Sequence, residues 1–242
     1  MNIITPAHRA DEPVLAHAGL SLNHLVKAGM NVTWWLVDDR PMEQRARPLF
    51  ELLAYRRQTL DVEGRYLETP RNWGQACARN LALHEIARER GDGALVGTMD
   101  EDDMLGAGYP AVVRQARCYL WAAGFGVDVD AYGRVLGAPA YAGPRGVLKP
   151  GELGRHGDEI GVWPLLCNAT VSRAGVLVSV GGWSALYRDE DTSMWRRVTD
   201  RHAGRVLEDR HEPAYLWRQH EAQTSRQDWW NSQAMAGVRR AR

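Results

Sequence analysis

Apolar and polar positions in the first hundred residues switch repeatedly between a period of two and a period near 3.6. The apolar run "NIIT" reads as a strand ended by Pro6. In "PVLAHAGLSLNHLVKAG", Val14, Leu15, Ala18, Leu22, Leu25 and Val26 stand at helical spacing until Gly29 stops the pattern. "VTWWLVDD" predicts a second buried strand, and "MEQRARPLFELLAYRR" a helix interrupted or started late at Pro48. "RYLET" gives a short strand, "GQACARNLALHEIARERG" a helix closed by Gly91, and "ALVGTM" the next strand. Strands that alternate with helices predict an α/β fold, with a mostly parallel central sheet flanked by helices on both faces.

The second half has another texture. "YPAVVRQARCYLWAAG" reads as a helix, and residues 124–162, rich in Gly and Pro, predict hairpins and long loops. "PLLCNATVS" reads as a strand, "RDEDTSMWRRVTDRH" as a helix with an acidic start, and "AYLWRQH" as a last strand or extended segment. No internal repeat or low-complexity linker divides the chain. The expectation is one domain over 1–242: a sheet-based half (1–105), a more irregular half (106–225) and a tail (226–242).

Composition narrows the function classes. The 242 residues are 45% hydrophobic and 25% charged, ordinary for a globular protein with a substantial core. Formal net charge is zero, so no global field would gather the chain onto nucleic acid or an anionic bilayer. Lysine occurs only at Lys27 and Lys149, so the cationic side chains are nearly all arginine, whose planar fork suits phosphate. Cys77, Cys118 and Cys167 lack CxxC spacing and read as reduced, buried thiols. With no apolar stretch of membrane-spanning length and no leader pattern in "MNIITPAHRADEP", the expected location is cytoplasmic.

The candidate chemistry lies in three polar clusters. Asp100, Glu101, Asp102 and Asp103 follow the "ALVGTM" strand, and in open α/β sheets ligands bind outside the carboxyl ends of strands. Hard carboxylate oxygens there suit Mg²⁺ or Mn²⁺, and a cation held by one or two of them could bridge phosphates; the alternative is a solvated acidic turn. Asp189, Glu190 and Asp191 follow a Gly-Gly turn at a helix start, either as a general base or as charge complementing the helix dipole. Arg218 and His220 share one face of an extended segment, suited to diphosphate and metal, or to a polar strand edge. A second DxD, "VDVD" at 127–130, reads as a hairpin edge. No phosphate-binding GxxxxGK[ST] loop, dinucleotide fingerprint, zinc-protease helix or GxSxG elbow is present.

In order along the chain, "IITPAHR", "WWLVDD", "ACARNLAL", "MDEDDML", "GGW" with "DEDT", and "RQHEAQTS" together resemble a family 2 glycosyltransferase of the GT-A fold. The resemblance covers nearly the whole chain outside 124–162, and makes 1–105 the nucleotide-sugar half and 106–225 the acceptor and catalytic half. It implies that Thr5, Pro6 and Ala7 line the nucleotide pocket, that Asp38 or, first, Asp39 bonds the base, and that Arg79 lies near base or diphosphate. Asp100 would contact ribose or sugar, Asp102 would be the principal ligand of Mn²⁺ or Mg²⁺, and Asp103 would orient donor or acceptor. His220 would contact metal or diphosphate, and Arg218 phosphate. Of the acidic pair, Asp191 is the implied base, with Glu190 next.

The implied reaction is inverting transfer of one sugar from a nucleoside-diphosphate donor, UDP first, to the hydroxyl of a small-molecule, glycan or peptide acceptor. "PAHR" departs from the family's more usual aromatic-Asn, and "WRQHE" lacks the QxxRW order of processive members, so a non-processive enzyme is expected. The rival readings are a sugar-nucleotide-forming nucleotidyltransferase and an inactive nucleotide-sugar-binding module. Trp163, Trp183 and Trp195 either frame an acceptor pocket or fill the core.

Overall fold

Six consecutive buried residues, Asn2–Ala7, form strand β1 near the middle of the sheet. The computed structural model describes residues 1–8, 12–40, 51, 62–130, 132–136, 144–160, 167–184, 190–207 and 212–219. β1 pairs in parallel with β2 (Val32–Asp38) and β4 (Leu95–Thr98), and β2 pairs in parallel with β3 (Val62–Glu68). The short β5 (Met104–Leu105) follows the acidic turn. Beyond it come β6 (Trp121–Ala123), β7 (Gly126–Val129), β8 (Gly146–Leu148), β9 (Thr170–Arg173), β10 (Gly204–Val206) and β11 (Tyr215–Arg218). Among the described residues the large sheet has the order β3-β2-β1-β4-β9-β6-β10-β8, with β9 antiparallel to both β4 and β6 and β8 antiparallel to β10. A smaller sheet, β5-β11-β7, carries the strand that precedes residue 219.

Side-chain alternation builds a core on each face. Ile4, Trp35, Val37 and Val96 pack with α3 (Gln75–Arg90), α6 (Ala174–Ser179) and α7 (Glu190–Arg201). Ile3, Trp34, Leu36 and Val171 pack with α1 (Glu12–Ser21), α2 (Asn23–Lys27) and α4 (Tyr109–Ala116). The adjacent tryptophans of "VTWWLVDD" therefore face opposite layers, as a strand covered on both sides requires.

Several elements differ from the sequence reading. β1 runs through Pro6, because backbone groups of alternate residues point to the same side, and on that side the β4 ladder ends at Ile4. The missing N–H leaves no gap in the ladder. The first predicted helix is divided into α1 and α2 at Leu22. "LWAA" is not helical but contains β6, since a short apolar run buried on both faces carries no period to separate the two states. The Gly-rich segment contains the helix α5 (Glu152–Ile160), and α6 and β10 were also unread. "VDVD" does form a sheet edge, with Asp130 accepting from the backbone of Tyr132 and Arg134 in a turn.

Cys118 is exposed and Cys77 and Cys167 are half-buried, and none of the three is in a disulfide, so the expectation of buried thiols fails for Cys118. The helix predicted over 42–57, apart from Glu51, lies outside the described residues, as do Trp163, Asp189, His220 and the tail. Among the described residues no helix is long and apolar enough to cross a membrane.

Candidate active site

The parallel strands β1 to β4 bring their carboxyl ends to one edge. The antiparallel β9 begins there too, so Asn168, in the short turn Cys167–Ala169 before it, meets the residues after β4. α3 starts at the same edge through Gly74, whose φ of 85° is accessible to glycine at little cost.

Arg79, one turn into α3, is the centre of the arrangement. Its guanidinium is fully buried and donates to Asp100 Oδ1 at 2.6 Å, Glu190 Oε1 at 3.1 Å and Gln75 Oε1 at 3.3 Å, and it stands 3.2 Å from Asp191 Oδ1. Three carboxylates from two distant segments thus share one cation. Asp100 is further held by Asn168 Nδ2 at 3.0 Å, and Thr98 Oγ1 donates to Asn168 Oδ1 at 2.7 Å. Asp191 Oδ1 also accepts from Trp183 Nε1 at 2.6 Å. Burial, opposed by Arg79 but reinforced by Asp100 and Glu190, pushes the Asp191 carboxyl up to about 6. A half-buried carboxylate beside two others, with one guanidinium among them, holds its proton to higher pH than a free one.

The other acidic residues divide by environment. Asp103 is buried, and its carboxylate accepts from Tyr215 Oη at 2.8 Å and the Arg218 backbone N–H at 2.8 Å. Burial first, then the charges of Asp102 and Asp100, hold it well above the ordinary carboxylate value. Tyr215 Oη in turn accepts from the Asp100 backbone N–H at 3.1 Å, so β11 is tied to both ends of the acidic turn. Glu101 accepts from the His8 N–H at 3.1 Å. Asp102, half-buried in the turn, is a hard oxygen donor at the ligand-binding edge. Arg218 is buried at the end of β11.

Thr5, Pro6 and Ala7 are buried at the end of β1, and Thr5 Oγ1 accepts from Trp34 Nε1 at 3.0 Å. Asp39 accepts from Thr69 Oγ1 at 2.8 Å and from the backbone N–H groups of Trp73 at 2.9 Å and Gly74 at 2.7 Å. It fixes the chain entering α3. Asp38 accepts from the Arg40 N–H at 2.7 Å and Tyr66 Oη at 2.9 Å.

The structure therefore brings Arg79, Asp100, Glu190 and Asp191 into one cluster, and Asp103 and Arg218 into a second beside it. Asn168 and Tyr215 carry no signal in the sequence reading, whereas Asn80 and Trp183 lie in its motifs "ACARNLAL" and "GGW", Trp183 there as a pocket wall or core residue and not as a partner of Asp191. Asn80 Nδ2 donates to the Trp183 carbonyl at 2.7 Å and its Oδ1 accepts the Trp183 N–H at 2.9 Å, so "ARN" and "GGW" interlock.

No protein-family model matches the chain significantly, and neither does any curated protein sequence. Solved structures do superimpose on it. TarS 1–349 of S. aureus matches with a TM-score of 0.63 and 17% identity over 90% of this chain and 60% of that one. The same protein in complex with UDP-GlcNAc matches with a TM-score of 0.63 and 18% identity over 92% and 59%. The mannosyltransferase PcManGT from Pyrobaculum calidifontis, in complex with GDP-Man and Mn²⁺, gives 0.57 and 13% over 99% and 63%. The fold is GT-A. The likeness is one of fold, and the chain spans 59–63% of the length of these three neighbours.

Among the described residues no group of three or more His, Cys, Asp or Glu is placed to hold a metal ion. A divalent cation bound by one or two carboxylates together with diphosphate oxygens and waters requires no such group. Asp102, in the turn after β4, offers one carboxylate of that type.

Proposed function

We propose that the protein is a non-processive, metal-dependent, inverting glycosyltransferase that moves one sugar from a nucleoside-diphosphate donor to an acceptor hydroxyl. The observation that carries this reading is the Arg79-centred cluster. On a GT-A fold it joins Asp100, at the donor-binding end of β4, to Glu190 and Asp191 at the start of α7.

Donor binding is assigned to the edge formed by Thr5, Pro6, Ala7 and the Asp39-held loop, with Asp100 toward ribose or sugar and Arg218 toward phosphate. Asp102, with His220, would hold Mn²⁺ or Mg²⁺, which when bound offsets the charge of the departing diphosphate. Asp191 is the general base. Its raised affinity for protons matches it to an alcohol that loses its proton only as the new bond forms. The acceptor O–H proton passes to Asp191 and the acceptor oxygen bonds the anomeric carbon. The bond from that carbon to the phosphate oxygen breaks on the opposite face, and the nucleoside diphosphate leaves with the electron pair. Two of the fold's neighbours were solved with UDP-GlcNAc and GDP-Man, which supports a sugar nucleotide as donor.

The test is to incubate the full chain and Mn²⁺ with a panel of UDP- and GDP-sugars and assay nucleoside diphosphate release, with and without broad acceptors. Release that depends on Asp191 supports the reading. Pyrophosphate release from a nucleoside triphosphate and a sugar phosphate would replace it with nucleotidyl transfer. Binding without turnover across the panel would leave a nucleotide-sugar-binding module.

A further inference from the structure

Trp183 is buried against the same cluster, and its place is determined from both sides. Asn80 of α3 exchanges two hydrogen bonds with its backbone, at 2.7 and 2.9 Å. Arg197 of α7 donates to the carbonyls of Val180 and Gly182 and to Ser184 Oγ, bracing the turn that carries it. Gly182 is left-handed at φ 61°, and a Cβ there would collide with Asn80 Oδ1, so the Gly-Gly pair lets the turn close onto α3.

From this fixed turn the indole N–H reaches Asp191 Oδ1 at 2.6 Å, the oxygen that also lies 3.2 Å from Arg79. Among the described residues no hydrogen bond goes to Asp191 Oδ2. The two oxygens of one carboxylate are thereby made unequal. Not every buried indole in this fold is so engaged: Trp195, one turn further along α7, has its Nε1 buried with no hydrogen-bond partner among the described residues.

Resting on the transferase reading above, we infer that Trp183 is the positioning residue for the base: its N–H holds Oδ1 of Asp191 so that Oδ2 faces the acceptor hydroxyl. A carboxylate free to rotate would present either oxygen and lose the alignment that proton transfer requires. The groups facing Asp191 are Arg79 of α3, Asp100 after β4, Glu190 of α7 and the Cys167 thiol. Trp183 supplies the neutral donor among them.

Two measurements test this. The first is Trp183→Phe, which keeps an aromatic ring and removes the N–H. It should lower kcat about tenfold or more for nucleoside diphosphate release while leaving the donor KM within about twofold, since on this reading Trp183 acts on the base and not on the donor. The acid limb of its pH–rate profile should move up by about one unit, because a hydrogen bond to the charged carboxylate has been lost. An unchanged kcat and profile in an active, folded variant would overturn the inference.

The second measurement needs no turnover and no folded Trp183 variant. In ¹H–¹⁵N spectra of the wild-type chain labelled at tryptophan, one indole resonance should titrate with the Asp191 midpoint and cease to do so in Asp191→Asn. If no indole resonance responds to Asp191, the inference falls whatever the kinetics show. An inactive wild type would instead bring down the transferase reading, and the role of Trp183 with it, while the spectra still decide the Trp183–Asp191 bond.

Discussion

Arg79 donates to Asp100 at 2.6 Å from a guanidinium with no exposed surface. The same guanidinium reaches Glu190, 111 residues further along the chain. One buried cation therefore couples the carboxylate after β4 to the acidic pair at the head of α7, and the stability of the cluster passes through it.

Replacing Arg79 by Met should be among the most damaging single changes. It leaves Asp100, Glu190 and Asp191 facing one another without their shared partner, a loss of about 3–5 kcal/mol for a broken buried pair. At this chain length that lowers Tm by on the order of 10 °C, read by thermal unfolding at pH 7. Lysine should not rescue it, because a single ammonium cannot reproduce the planar fork that serves several acceptors.

Asp191→Asn should abolish most turnover while sparing donor binding. Removal of a general base costs about 10²–10⁴-fold in rate, and the edge proposed for the nucleotide is built from β1, β2 and α3 rather than from α7. Steady-state kinetics beside donor titration checks this, and an equal loss of affinity and rate would reassign Asp191 to binding.

The raised Asp191 value sets two pH dependences. With Asp191 as the proposed base, turnover would need its deprotonated form, so kcat/KM of the wild type should rise with pH through about 6 and level above it. Stability runs the other way. The folded chain keeps this proton up to about 6 against an ordinary 3.8, so the contribution to folding is full below the lower value and is lost as pH rises through the upper one. The Tm of Asp191→Asn minus that of the wild type should increase between pH 4 and 7.

Nucleoside diphosphate should stabilise the chain only with a divalent cation. At about 100 times its dissociation constant a ligand adds roughly 2.7 kcal/mol, or about 5–10 °C in Tm. The shift should vanish with chelator and in Asp102→Asn. Comparing UDP with GDP in the same assay identifies the base.

Gly182→Ala and Gly181→Ala separate backbone strain from steric clash. Both glycines are left-handed, but Gly181 has open space where a Cβ would go, whereas Gly182 faces Asn80 Oδ1. Gly181→Ala should cost about 1 kcal/mol, and Gly182→Ala about 2 kcal/mol or more with a loss of turnover as the Trp183 turn shifts.

Much of this architecture was legible from periodicity. β1 to β4 stand out as short strand-like runs between turn signals and α3 and α7 as helical patterns, and the acidic turn after β4 could be located because ligands bind at strand ends. What periodicity missed was short: β6, β10 and α6 span three to six residues, too few to show a period. α5, at nine residues, lay inside a stretch whose Gly and Pro content suggested loops.

The sequence by itself determined the α/β layering, the edge where the carboxylates gather and the acidic pair at the head of α7, because these follow from local pattern and strand order. Tertiary structure alone decided the partners and burial of each carboxylate. Asp103, written in the same run as Asp100, is sealed by Tyr215 and the Arg218 backbone, whereas Asp100 turns to Arg79 and Asn168. Asp191 is set apart from Glu190 by the indole of Trp183. Neighbours in sequence acquire different partners because burial and hydrogen bonding are properties of three-dimensional surroundings, which residues distant along the chain supply.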